Sequence, residues 1–247
     1  MLAFSVALGA CANIQDAETS KPDISNQSLS GVLSELPQVK SDPLIVGVYS
    51  IPDQTGQRAL SAGQTTMSSA IPQGLTALLV QELTNVGEGA YFRVVERENI
   101  DDLLNERRIV ASTLGESAEL NLQPLLLPGV LLTGSAVSYD RKVYQNFAGI
   151  GAASINLQKD VYVDRVGFVL RATSVQTGEV LESIYVSKEV RSQVSGLTGL
   201  KIIDEDMAGA EIGSAANEPT SIAVRKAIAA AVNELSLRGI ERGWWKT

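Results

Sequence analysis

The chain has 247 residues and a formal net charge of −8, with 20 basic and 28 acidic side chains and no histidine. This acidic balance argues against a nucleic-acid partner, because phosphate backbones require a basic protein face. Without histidine or a metal-ligand constellation, we expect no enzymatic activity, no metal and no nucleotide cofactor. The Gly-rich stretch GIGAAS at 149–154 lacks the spacing and the following helix of a phosphate-binding loop.

The only cysteine of the chain, Cys11, lies close to the N-terminus. It follows an apolar run at 2–8 and two small residues, an order typical of a secretory signal peptide. The stretch LGAC at 8–11 also resembles a bacterial lipobox, in which the cysteine thiol is acylated with diacylglycerol. We therefore predict a signal peptide at 1–10 and an acyl lipid anchor on Cys11, with no other cofactor. The alternative is a short buried segment with an inert thiol.

The segment after Cys11 is polar and rich in Ser, Asp and Pro, which predicts a tether at 11–41. No Lys or Arg precedes Lys21, so we expect the natural start to lie a little upstream of Met1. No stretch reaches the roughly 18 apolar residues of a spanning helix. The chain is therefore expected to be exported and lipid-anchored, or to cross the bilayer as strands.

Strands and helices alternate in the predicted α/β domain at 42–135. A buried strand is expected in the β-branched run at 44–51, and further strands at 91–97 and 129–137. Between the first two, a polar loop at 52–69 precedes a helix with Pro72 in its first turn and an apolar stripe formed by Leu75, Leu78, Leu79 and Leu83. Asn99 is a candidate cap for the next helix, in which Asp101 and Asp102 near the start and Arg107 and Arg108 towards the end complement the macrodipole.

A last helix is predicted in the C-terminal segment at 213–247. Pro219 opens it, and one face carries Val224, Ala227, Ile228, Ala231 and Leu235. Alternating strands and helices predict a layered α/β core.

The stretch at 134–213 follows a different pattern, with little helical periodicity and several turns. From Ile184 to Val194, even positions are mostly apolar and odd positions polar. This alternation fits a transmembrane strand of about 9–11 residues, but it also fits a half-buried soluble strand, which the pattern alone favours. Gly-rich turns at 146–154 and 195–200 divide extended segments, so we predict two long β-hairpins at 136–170 and 183–212.

Six separated motifs resemble the curli secretion channel CsgG family. They are DQTGQ at 53–57, AIPQ at 70–73, VERENIDDLLNERRIVAS at 95–112, TGEVLES at 177–183, NEP at 217–219 and GIERGWW at 239–245. The resemblance runs in order from about Leu44 to Trp245, and the lipobox agrees with a family of outer-membrane lipoproteins. It implies a periplasmic α/β domain and a ring of nine protomers, each lending two β-hairpins to one shared transmembrane barrel of 36 strands.

The resemblance also implies a constriction on the channel axis, formed by the loop between the first strand and the first helix, at about 57–68. The family's Tyr falls among Leu60, Ser61 and Ala62, and Thr66 and Met67 occupy the place of its Asn-Phe pair. A ring of Met67 side chains would make a soft apolar collar for unfolded chain. The alternative is that Met67 is a core residue.

Three functional hypotheses follow. The chain is a diffusion-driven channel that passes unfolded curli-type amyloid subunits to the cell surface, a related ring that anchors an adhesin or holdfast, or a soluble periplasmic scaffold. For the first, the expected partners are further copies of the chain, secreted subunits, curli accessory proteins and outer-membrane lipid. Trp244 and Trp245 are expected to pack against the core or a neighbour rather than anchor at the bilayer interface.

Overall fold

The computed structural model describes residues 36–61, 64–115, 122–148, 157–195, 199–203 and 218–247. The strands of these residues are β1 Leu44–Val48, β2 Arg58–Ser61, β3 Gln64–Ser69, β4 Phe92–Glu96, β5 Val130–Ala148, β6 Leu157–Ser174, β7 Val180–Ser195 and β8 Gly199–Ile203. The α-helices are α1 Leu75–Asn85, α2 Ile100–Leu114 and α3 Glu218–Glu241, and a short 3₁₀ turn, Val86–Gly89, follows α1. The predicted signal peptide, Cys11 and most of the tether lie outside the described residues.

Six strands form one mixed sheet in the order β4-β1-β5-β6-β7-β8. β1 lies parallel to both β4 and β5, whereas β5 to β8 form a continuous antiparallel meander. The alternating strands and helices predicted for the first half are therefore confirmed. The sheet is not parallel throughout, since the meander occupies its other half.

The core lies between the sheet and helices α1 and α3, whereas α2 has no buried residue. α1 packs against β4 and α3, and α3 covers β6 and β7. The predicted stripe of α3 is confirmed, because its five residues are at most 1% exposed. In α1, Leu75, Leu79 and Leu83 are fully buried, whereas Leu78 is partly buried at the edge of the core. Burial of apolar surface on both helices supplies the main favourable term for this packing.

Some predicted helix ends were wrong. Pro72 precedes α1 by three residues, and the helix begins after Gly74 without a side-chain cap. Asn99 does occupy the cap position of α2, but its side chain makes no capping bond; instead its N–H donates to the Glu96 carboxylate at 2.8 Å. Arg107 and Arg108 lie in the middle of α2, because the helix continues to Leu114.

The third core strand and the first arm of the first predicted hairpin are a single strand, β5. Its first residues, Val130 to Leu132, pair with β1, while its whole length pairs with β6. A β-bulge between Ala136 and Ser138 inserts Val137 as an unpaired residue. The bulge reverses which residues of β5 face the helices, from even to odd positions. The second predicted hairpin corresponds to β7 and β8, and its end at 204–212 lies outside the described residues.

Candidate channel site

The segment predicted as a constriction loop at 57–68 contains the small antiparallel hairpin of β2 and β3. Leu60 pairs with Thr65 and Ser61 with Gln64, next to the turn. The register shifts between Arg58, which pairs with Ser69, and Leu60. Between these two pairs β3 has two more residues than β2, and Thr66 and Met67 lie in this irregular part. β-branched threonines and the two-residue connection favour a hairpin over the loop that the sequence predicted. The constriction role of Leu60, Ser61, Thr66 and Met67 stays a prediction.

Backbone hydrogen bonds fix the base of this hairpin to the sheet. The N–H of Ala136 donates to the carbonyl of Pro52 at 3.3 Å, and the Gln54 N–H donates to the carbonyl of Ala136 at 2.9 Å. The Ala70 N–H donates to the Gln57 carbonyl at 3.0 Å and closes the hairpin. The segment that leads into the hairpin therefore lies beside the β5 bulge.

Beyond the bulge, the β5–β6–β7 sheet has two unlike faces. On the face towards α3, Val166 and Val190 are each 1% exposed. On the other face, Asp140 pairs with Arg165, which pairs in turn with Glu189. The alternation predicted from Ile184 is confirmed as far as Ser192, because Ile184, Val190 and Ser192 are buried while Tyr185 and Arg191 are exposed. The transmembrane interpretation of the two hairpins stays a prediction.

The polar face holds a groove of about 290 Å³ between the side chains of the three strands. Its charged lining consists of Asp140, Lys142, Arg165, Glu189 and Arg191, and Tyr144 stands at one end. Arg165 donates to Glu189 at 2.7 Å, and Arg191 donates to the other oxygen of the same carboxylate at 3.2 Å. The two arginines and Glu189 are partly exposed, so the charged face is open to solvent.

The opposite face carries a buried ion pair between β5 and β6. Arg141 donates to both carboxylate oxygens of Asp164, at 2.6 and 3.1 Å, and Asp164 is fully buried. The Tyr139 hydroxyl donates to Asp164 at 2.7 Å, and Arg141 also reaches the Thr220 hydroxyl of α3 at 3.3 Å. The pair therefore ties the meander to the start of α3, and sequence reasoning missed it.

A second ionic cluster joins the far end of α3 to β7. The buried carboxylate of Glu182 accepts hydrogen bonds from Arg238, at 3.3 Å, and from Arg242. Arg238 also donates to Glu234 at 2.7 Å, and the hydrogen bonds from Arg238 to Glu234 and Glu182 raise the pKa of its guanidinium. The start of the helix is thus held to β5 and its far end to β7.

The C-terminal tail packs into the core, as predicted for Trp245. Its indole is 3% exposed, donates to the carbonyl of Tyr91 at 3.0 Å and meets Tyr91 and Phe92 edge to face. Lys40 donates to the Lys246 carbonyl at 2.8 Å. The tether predicted to end at 41 is therefore packed on the domain from its last few residues, with Leu36 and Val39 against the core.

The described residues offer little for other chemistry. No group of three or more acidic, histidine or cysteine side chains among them is placed to hold a metal ion. In the same part of the chain, no helix combines the length and the apolar character needed to span a membrane.

Comparison with known proteins gives a consistent result. The family model for the curli production assembly/transport component CsgG matches residues 26–247. A protein of that name from Citrobacter koseri is 30% identical over 245 residues, covering 96% of this chain and 87% of the relative. Its namesake from Escherichia coli K12 is 29% identical over 252 residues, covering 99% and 89% respectively. A solved structure, protein XCC0632 from Xanthomonas campestris, covers 84% of this chain and 97% of its own at 9% identity, with a TM-score of 0.38.

Proposed function

This chain belongs to the CsgG family of curli production assembly/transport components, and from that premise we propose that it forms an oligomeric secretion channel in the bacterial outer membrane. The proposed cargo is unfolded curli-type subunits, which move from periplasm to cell surface by diffusion. The chain has no nucleotide-binding motif that would couple transport to hydrolysis. The relatives' names support the transport role, and the channel mechanism is our proposal.

The observation that carries the mechanism is the geometry of the β5–β8 meander. β5 continues beyond Ala136 to Ala148, paired with β6 on one side only among the described residues. β8 pairs with β7 and is the last strand of the described sheet. Each strand from β5 to β8 is antiparallel to the one before it, so the two edge strands β5 and β8 run in opposite directions. β8 of one copy and β5 of the next would pair antiparallel and extend the sheet around a ring.

Such a ring gives the two faces of the meander different surroundings. The face with Val166 and Val190 would point outwards, with its buried Arg141–Asp164 pair beside the start of α3, and the charged face would line the lumen. Polar-in and apolar-out alternation is what a water-filled barrel requires. The copy number of nine, the lipid on Cys11 and the contacts with accessory proteins are parts of this proposal.

The β2–β3 hairpin is proposed as the constriction. The segment that leads into it is fixed beside the bulge of β5. Repeated around a ring, this position would put Leu60, Ser61, Thr66 and Met67 at the entrance of the barrel. Methionine would supply an apolar but compliant contact for passing chain.

Single-channel conductance tests the proposal. Detergent-extracted protein is added to a planar bilayer, and wild type is compared with Met67→Trp. We expect discrete steps in both, smaller in the variant, because the larger side chain narrows the proposed ring. Gln176→Trp, which adds the same side chain in the exposed β6–β7 turn, is the control and should leave the steps unchanged.

Two outcomes would contradict the proposal. Conductance steps of equal size in wild type and Met67→Trp would show that this hairpin does not form the constriction. No steps at all from acylated, ring-shaped protein would exclude the channel and leave a ring that anchors an adhesin or holdfast, or a periplasmic scaffold.

A further inference from the structure

The groove on the charged face carries more positive than negative charge. It contains three cations, Lys142, Arg165 and Arg191, and two carboxylates, Asp140 and Glu189. The whole chain, in contrast, has a net charge of −8. The cationic excess is therefore local, and it falls on the face that the proposed ring would turn towards its lumen.

The ion pairs in the groove do not cancel this excess. Glu189 is shared between Arg165 and Arg191, so one carboxylate serves two guanidiniums. Both arginine side chains also extend further into solvent than the acid does, at 51% and 61% exposure against 29%. A ligand approaching this face would meet guanidinium groups before it met Glu189.

The register places two cations without an acid between them. Lys142 and Arg191 both lie beside Val163, on its two neighbouring strands. Strands two steps apart are separated by about 10 Å. An extended peptide lying over Val163 would pass between an ammonium and a guanidinium, with its carboxylates within reach of both.

We infer that this groove is a binding site for the carboxylates of acidic polypeptide segments and that it makes the lumen selective for anions. The inference rests on the proposed channel and names the chemical class of segment that its wall attracts. Repeated around a ring, the excess cation of each copy would add to a positive belt. Low-dielectric walls of one sign of charge concentrate counter-ions in such a passage.

The test uses the assembled protein in planar bilayers with a KCl gradient and a decaglutamate peptide as probe. The reversal potential of the wild-type channel should have the sign that indicates preference for chloride over potassium, and decaglutamate should block the current. In Arg191→Gln the reversal potential should shift towards zero. The concentration for half block should rise about two- to fivefold, the effect expected for one exposed charge pair.

Two further variants make the test sharper. Glu189→Gln removes a negative charge from the same groove, so chloride preference and decaglutamate block should both increase. Arg225→Gln makes the same substitution as Arg191→Gln at an exposed position of α3, the helix that covers the opposite face, and should behave as wild type.

The outcomes separate this inference from the function on which it rests. Channels that conduct but show the same selectivity and block in wild type, Arg191→Gln and Glu189→Gln would overturn the acidic-segment site and leave the channel intact. Equal block by decaglutamate and decalysine would also overturn it. A protein that opens no channel would instead contradict the proposed function.

Discussion

Replacing Asp164 by asparagine should destabilise the protein far more than breaking any exposed ion pair of the same sheet. Asp164 is fully buried and accepts hydrogen bonds from Arg141, at 2.6 and 3.1 Å, and from Tyr139, at 2.7 Å. The asparagine side chain would keep one acceptor oxygen but lose the negative charge. The guanidinium of Arg141, which is 20% exposed, would then lack its counter-charge.

The size of the effect follows from the burial of the pair. Removing one partner of a buried ion pair costs about 3–5 kcal/mol, because the other charge stays behind in a poorly solvated place. Arg141 keeps some solvent contact and the Thr220 hydroxyl at 3.3 Å, so the lower end, about 3 kcal/mol, is expected. For a chain of this length that corresponds to a fall of about 6–12 °C in the denaturation midpoint.

Thermal denaturation of the detergent-solubilised protein, followed by circular dichroism at one scan rate, measures this fall. Asp164→Asn, Arg141→Gln and the double variant form a cycle, and the double variant should lose clearly less than the sum of the two single losses. Arg165→Gln is the control, because it breaks a 2.7 Å pair with Glu189 on the exposed face and should cost at most about 1 kcal/mol. Additive losses, or a loss in Asp164→Asn no larger than in the control, would refute the reasoning.

Two other substitutions test the packing. Gly134→Ala would bring a Cβ against the carbonyl oxygen of Val169 and should lower the unfolding free energy by about 1–3 kcal/mol. Gly129→Ala is the control, because no atom lies within 4 Å of the added Cβ, and it should be tolerated. The thermal denaturation midpoints of the two variants are compared. Trp245→Ala should cost about 3–5 kcal/mol through the cavity and the lost hydrogen bond, as measured by guanidinium titration, and a loss below about 1 kcal/mol would contradict the observed burial.

The helices were predictable because their pattern is local. Leu75, Leu79 and Leu83 repeat at helical spacing. The apolar face that they form must be buried, whichever element packs against it. The residues of α3 follow the same rule. The start of α1 was less predictable, since it depends on tertiary contacts: Ile71 is buried in the core, and the Ile51 N–H donates to the Thr76 hydroxyl at 3.0 Å.

The ion pairs were not predictable, because they depend on strand register. Arg141 and Asp164 are 23 residues apart, and they meet only because β5 and β6 pair in one register. The bulge at Val137 also changes which residues of β5 share a face, and nothing local in the sequence marks its position. For the same reason, the charged groove could not be assembled from the alternation of β7 alone.

The β2–β3 hairpin was missed for a different reason. Its sequence, RALSAGQTTMSS, mixes small and polar residues and lacks the regular alternation by which strands are recognised. Its position depends on the long-range contacts of the preceding segment with Ala136. Sequence order placed the predicted constriction between β1 and α1, but the local structure of this segment could not be derived from that order.

The edges of the meander connect membrane insertion with assembly. The outer part of β5 and the end of the described sheet at β8 present backbone groups that lack a strand partner within the described residues. In hydrocarbon each unpaired group costs several kcal/mol, so a single copy of the proposed hairpins would not be stable there. In water the same edges favour pairing with further copies.

In the proposed ring, the copies must therefore pair before or during insertion. The rate at which channels appear should then rise more steeply than linearly with protein concentration. Linear dependence at concentrations where the protein is monomeric would contradict this coupling.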